Sequence, residues 1–181
     1  MNKKLLLIIF VLVVFLSMFF LVDKFNKSDD KSEKSGEISF IEVKTNKESN
    51  SKLIDKGNVI IFTTAEFHKF GDMSTLKFKV KNNSKEDIKI NGVLCNVKGV
   101  YKNPDSPTKD EEKNAQKNGI ELSNYVTAGL SNIISGKILK SGKTSEIETF
   151  SVSVVRDLKE MKGKKLTYEC ILDISKINEN G

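Results

Sequence analysis

The chain has 181 residues, 38% of them hydrophobic and 30% charged, with a net charge of +6. Of its 30 basic side chains Arg156 alone is arginine, and the lysines are interspersed with nearly as many acids, which argues against nucleic acid as a partner. Two cysteines and one histidine are too few for a structural zinc site.

The first element is the run from Leu5 to Val22, LLLIIFVLVVFLSMFFLV, broken only by Ser17. As a helix rising about 1.5 Å per residue it covers roughly 27 Å, enough to cross a bilayer. Residues 1–22 therefore read as a cytoplasmic tail and a transmembrane signal anchor. No Ala-x-Ala-like site follows FFLVDKF and no cysteine precedes Cys95, so retention is expected over cleavage or lipid attachment. Lys3 and Lys4 form the n-region of an export signal, which puts the N-terminus in the cytoplasm and the rest outside, a single-pass protein of the cell membrane. Lys24, Lys27, Lys31 and Lys34 count the other way on the positive-inside rule. Residues 23–37, DKFNKSDDKSEKSGE, carry only Phe25 as a large apolar side chain and are expected to be a disordered polar tether reaching roughly 20 Å.

Residues 38–181 are of a size for one domain with its own core. Period-two alternation dominates them. Ile38 to Val43 is a weak edge-strand candidate, and Val59 to Thr64 a more continuous apolar run. In TLKFKVK, Leu76, Phe78 and Val80 share one face and three lysines the other. Ile88 and Ile90 lead into Asn91-Gly92, which predicts a two-residue hairpin before a strand from Val93 to Tyr101. Residues 102–119 hold both prolines and are polar throughout, which predicts a surface excursion. After it, Leu122, Tyr125, Val126, Leu130, Ile133 and Ile134 recur near helical spacing and suggest a short helix, with a strand as the rival. Phe150, Val152 and Val154 alternate, as do Leu166, Tyr168, Cys170, Leu172 and Ile174. Between these two strands, Arg156 to Lys162 could form one helical turn that packs Leu158 and Met161 and ends at Gly163. The sum predicts an all-β fold, an antiparallel sandwich of about seven strands.

The stretches LKFKVKNNSKEDIKING and KILKSGKTSEIETFSVSV resemble the immunoglobulin-like extracellular domains of Gram-positive exported proteins and lipoproteins, a group related to immunoprotective mycobacterial antigens. The resemblance covers about half of the domain and implies an immunoglobulin-like sandwich. GVLCNVKGVY and Tyr168-x-Cys170 also look like the two cysteine strands of an immunoglobulin domain, although the core tryptophan is missing. Cys95, beside Val93 and Val97, and Cys170, between Tyr168 and Leu172, both fall on the inward face of their strands. In an exported domain such a pair is expected to be bridged, the alternative being two small buried hydrophobes.

Catalytic chemistry finds little purchase. His68 in AEFHKFG has no local partner for general-base work and reads as a loop residue. No nucleophile signature occurs, and Gly136 and Gly142 in SGKILKSGK are spaced as turn glycines rather than as a phosphate loop. Asp105, Asp110, Glu111 and Glu112 offer oxygens for a calcium ion, but their spacing fits no EF-hand. No catalytic, cofactor or metal residue is assigned. The expected function is non-enzymatic: a membrane-anchored extracytoplasmic domain that binds another cell-envelope component. The alternatives are a binder of anionic wall polymer or lipid headgroups and, further off, an envelope hydrolase built around His68. An exposed apolar patch or an unpaired strand edge would favour a protein partner.

Overall fold

Strict alternation becomes sheet. In the computed structural model, which describes residues 37–46, 48–101, 108–156 and 159–177, nine strands and one α-helix follow one another in chain order. They are β1 (Ile38–Thr45), β2 (Asn50–Ile54), β3 (Val59–Thr63), β4 (Met73–Asn82), β5 (Ile88–Tyr101), α1 (Lys109–Ser123), β6 (Val126–Leu130), β7 (Ile138–Leu139), β8 (Glu148–Val154) and β9 (Lys165–Lys176). The expected anchor between Leu5 and Val22, and the expected tether as far as residue 36, lie outside the described residues. Among the described residues no helix is long and apolar enough to cross a membrane.

The strands make two antiparallel sheets, one ordered β1-β4-β8-β6 and the other β2-β3-β9-β5-β7. The inward residues of β4, Leu76, Phe78 and Val80, are fully buried, as are Val152 of β8 and Ile60 and Phe62 of β3. Aromatic edges close the gap between the sheets: the Phe150 ring of β8 lies 6.0 Å from Phe62 and 5.1 Å from Tyr168 of β9, both in edge-to-face geometry. This is a sandwich core with one apolar face from each sheet.

Buried polar side chains hold the turns. Asn82, fully buried at the end of β4, donates through Nδ2 to the carbonyls of Glu86 (2.8 Å) and Leu139 (2.9 Å) and accepts from the Ser84 N–H and hydroxyl. It thereby fixes both the β4–β5 turn and the short strand β7. Glu148 does the same for the loop after β6: its carboxylate accepts from the Ser131 hydroxyl and from the backbone N–H of Ile134 at 3.4 Å.

Several expectations need correction. Asn91-Gly92 makes no hairpin; β5 runs straight through it with a bulge between Ile90 and Gly92, and the Asn91 amide donates to Asp173 instead. Gly92 does not take the positive φ that the expected turn requires. The segment expected as an irregular excursion over 102–119 contains most of α1, and residues 102–107 lie outside the described residues. Beyond Ser123 the strand rival prevails, as β6. Residues 159–161 form turns rather than a helix; Met161 is fully buried as expected, whereas Leu158 lies outside the described residues. Nine strands replace about seven because β2 and the two-residue β7 carry no alternation long enough to read.

Helix α1 is polar along most of its length, and only Ala115, Gly119 and Leu122 are buried. Its start is set by a capping box: the Thr108 hydroxyl accepts the Glu111 N–H (3.1 Å) while the Glu111 carboxylate accepts the Thr108 N–H (2.9 Å). It docks on β5 almost backbone to backbone. A Cβ on Gly119 would sit 2.6 Å from the Val97 methyl, and one on Gly99 2.8 Å from the Ala115 Cβ. Small residues on both elements are therefore what permits the contact.

Candidate functional site

The outward face of the β2-β3-β9-β5 sheet carries an unbroken apolar row. Ile54 of β2 pairs with Val59 of β3, Val59 with Ile171 of β9, and Ile171 with Leu94 of β5. Residues directly opposite one another share a face, so all four project to the same side. Ile54 and Val59 are half-buried, Ile171 is 40% exposed and Leu94 57%. On one flank the next row reads Lys52, Ile61, Glu169 and Asn96, with Lys98 paired to Glu169 at 3.3 Å. On the other, Asp173 accepts from Asn91. An apolar strip rimmed by polar groups is the anatomy of a contact surface.

The row ends at a strand with an open side. β5 is hydrogen-bonded to β9 along its length, but β7 pairs with it only at Ile88 and Lys89, and the loop before β7 reaches no further than Ile90 and Asn91. Beyond that, no strand among the described residues flanks β5. Cys95 and Cys170 face each other with Cα atoms 4.0 Å apart, the short spacing of a pair not hydrogen-bonded to each other. The backbone N–H and C=O of Cys95 therefore point away from β9, and by alternation so do those of Val93 and Val97. None of these six groups has a hydrogen-bond partner among the described residues.

The two cysteines form a disulfide, as expected, with Cys170 fully buried and Cys95 half-buried. It joins adjacent strands of one sheet rather than the two sheets, which departs from the immunoglobulin arrangement that the flanking residues suggested. Nor does Tyr168 make the backbone hydrogen bond of a tyrosine corner. Its hydroxyl is buried without a partner among the described residues, and desolvation pushes its pKa well above the usual 10.

His68 is exposed on the turn between β3 and β4. It lies beside a depression of about 250 Å³ also lined by Glu48, Glu66 and Asp72. Asp72 is engaged as the cap of that turn: one carboxylate oxygen accepts the N–H groups of His68 (2.7 Å) and Lys69 (3.0 Å), and the His68 bond above all holds its carboxyl below the usual carboxylate value. The turn displays Phe70 at 71% exposure. Of the four acids considered as calcium ligands on sequence grounds, Asp110, Glu111 and Glu112 lie in the first turn of α1, where they complement the helix dipole, and Asp105 lies outside the described residues. Among the described residues no three His, Cys, Asp or Glu side chains converge as metal ligands.

No protein family, curated protein or solved structure matches this chain. The surface alone carries the functional argument. Sequence reading missed the apolar row because it tracked one face of each strand. The available signal was apolar residues on both faces, as in Val59 to Phe62 and in Cys170-Ile171-Leu172.

Proposed function

We propose that the chain is a membrane-anchored extracytoplasmic domain of the immunoglobulin-like exported type, and that it binds another protein of the cell envelope. The observation that carries this reading is the polar-rimmed apolar row Ile54, Val59, Ile171 and Leu94. Each exposed apolar side chain alone is ordinary; four in register across four strands have a shared purpose. The apolar run Leu5 to Val22 supports the anchor. The test is a photo-crosslinking residue placed at Leu94 or Ile171 of the full chain in intact cells. A defined adduct from both positions with a protein other than a second copy of this chain, absent from Lys79 on the other sheet, is expected; no such adduct from either position overturns the reading. Topology is checked separately: protease added to intact protoplasts should cut within residues 23–37, and digestion only after lysis would reverse the orientation.

A second reading rests on the opposite face. Lys77, Lys79 and Lys81 project outward from β4, and Lys44 lies directly opposite Lys77. Lys79 is tied to Glu42 at 2.7 Å, but the row remains basic and would attract an anionic wall polymer or lipid headgroups. Retention on such a polymer that falls steeply with salt supports this reading, and salt-independent behaviour opposes it.

A further inference from the structure

The open edge of β5 is built to pair with itself, and we propose that two copies of this chain associate through antiparallel pairing of the segment from Gly92 to Lys98. Three observations carry this. First, Val93, Cys95 and Val97 aim outward six backbone groups that have no partner among the described residues, and a strand that presents its N–H and C=O groups in this way is completed by another strand. Second, the register is bounded. Bulges between Ile90 and Gly92 and between Val97 and Gly99 bracket the straight segment, the loop before β7 bonds Ile90 and Asn91 below it, and α1 packs against the side chain of Val97 and the backbone of Gly99 above, which confines the pairing to this stretch. The segment itself, turned about a twofold axis through Cys95, has the right length.

Third, the side chains suit self-pairing. A twofold axis through Cys95 sets Val93 opposite Val97, Leu94 opposite Asn96 and Gly92 opposite Lys98 of the second copy, and no two like charges meet. The edge strand β2 shows the contrast: its centre is Lys52, so self-pairing there would oppose two lysines. The edge strand β1 is broken by the bulge between Ile41 and Lys44, with Glu42 at φ 51°. Outward residues 93, 95 and 97 would form the hydrogen-bonded pairs, leaving Leu94 and Asn96 as the closely spaced pair between them. The two apolar rows would then lie on the same side of one continuous sheet. This pairing does not depend on an envelope partner.

The test uses the full chain in membranes. Two differently tagged copies are co-expressed, one carrying Leu94→Cys and the other Asn96→Cys, and mild oxidation is followed by non-reducing electrophoresis. A covalent dimer bearing both tags is expected, and it should be absent when Asn96→Cys is replaced by Ile138→Cys, which lies off the pairing register. Absence of the dimer while the introduced thiols react with a small labelling reagent overturns the proposal, as does equal crosslinking from Ile138→Cys. Because Leu94 and Asn96 are both exposed, charge variants provide a second measurement without disturbing the fold. Leu94→Glu with Asn96→Glu opposes acids at both pairs and should weaken association roughly tenfold or more, and Leu94→Lys with Asn96→Glu should restore it. Equal association of the two double variants overturns the twofold register.

Discussion

Tyr168 and Asn82 show how differently two buried polar side chains are treated. The Tyr168 hydroxyl is desolvated with no compensating bond among the described residues, so Tyr168→Phe should stabilise the domain by about 1 kcal/mol in urea unfolding. Its raised pKa gives the effect a pH signature. Below pH 10 the phenol is protonated in both folded and unfolded chains; above it the unfolded chain releases the proton first, so stability falls as pH rises from there toward the folded-state pKa. The advantage of Tyr168→Phe over the native protein should therefore widen above pH 10, and a constant difference would contradict the account. Asn82 is the opposite case, with both amide donors and its carbonyl used. Asn82→Ala strands the Leu139 carbonyl in the core and should cost about 3 kcal/mol by the same measurement, with faster amide exchange over residues 84–90.

At the level of elements, the docking of α1 depends on what is missing from its face. Gly119→Leu would drive a side chain into Val97 and the Gly99 backbone, and should destabilise the domain by about 3 kcal/mol while leaving strand content intact by circular dichroism. This is also why the helix was hidden in the sequence. Periodicity reveals a helix through large apolar residues, and here two of the three buried positions are Ala115 and Gly119; only the Thr108-x-x-Glu111 box announced it. Strands such as β4 were legible because their inward residues are large and their outward residues charged. The staple between β5 and β9 was legible as a pair of inward cysteines, but its place within one sheet was not, since alternation says which face a residue takes and nothing about which strand lies beside it. Replacing Cys95 and Cys170 together by serine should cost about 4 kcal/mol, the chain-entropy estimate for a separation of 75 residues, read in urea as a lower midpoint with a steeper slope because the unbridged denatured chain is more expanded.

Across the whole molecule the two outer faces divide the surface by chemistry. One presents lysines along β4 with serine and threonine on β8 beside them; the other presents the apolar row. Composition could not reveal this division, because a mean charge and a mean hydropathy average over both faces. The division predicts separable variants. Ile171→Lys sits on an exposed position and should change stability by no more than about 0.5 kcal/mol, yet abolish the adduct that Leu94 forms with another envelope protein in cells. Lys77→Gln with Lys81→Gln should leave that adduct untouched and lower any salt-sensitive retention on anionic polymer.

The disulfide also decides how the domain behaves under tension. A pull applied between β1 and the end of β9 can draw out the chain only on either side of the Cys95–Cys170 link, because the covalent shortcut bypasses the 75-residue separation between them. At about 3.4 Å per residue, some 250 Å of slack is withheld. α1, β6, β7 and β8 all lie within that loop, so their backbone is not drawn out by the pull. Stretched from its ends, the oxidised protein should extend only by the contour that lies outside the link and then stiffen, with the full contour length released only after reduction.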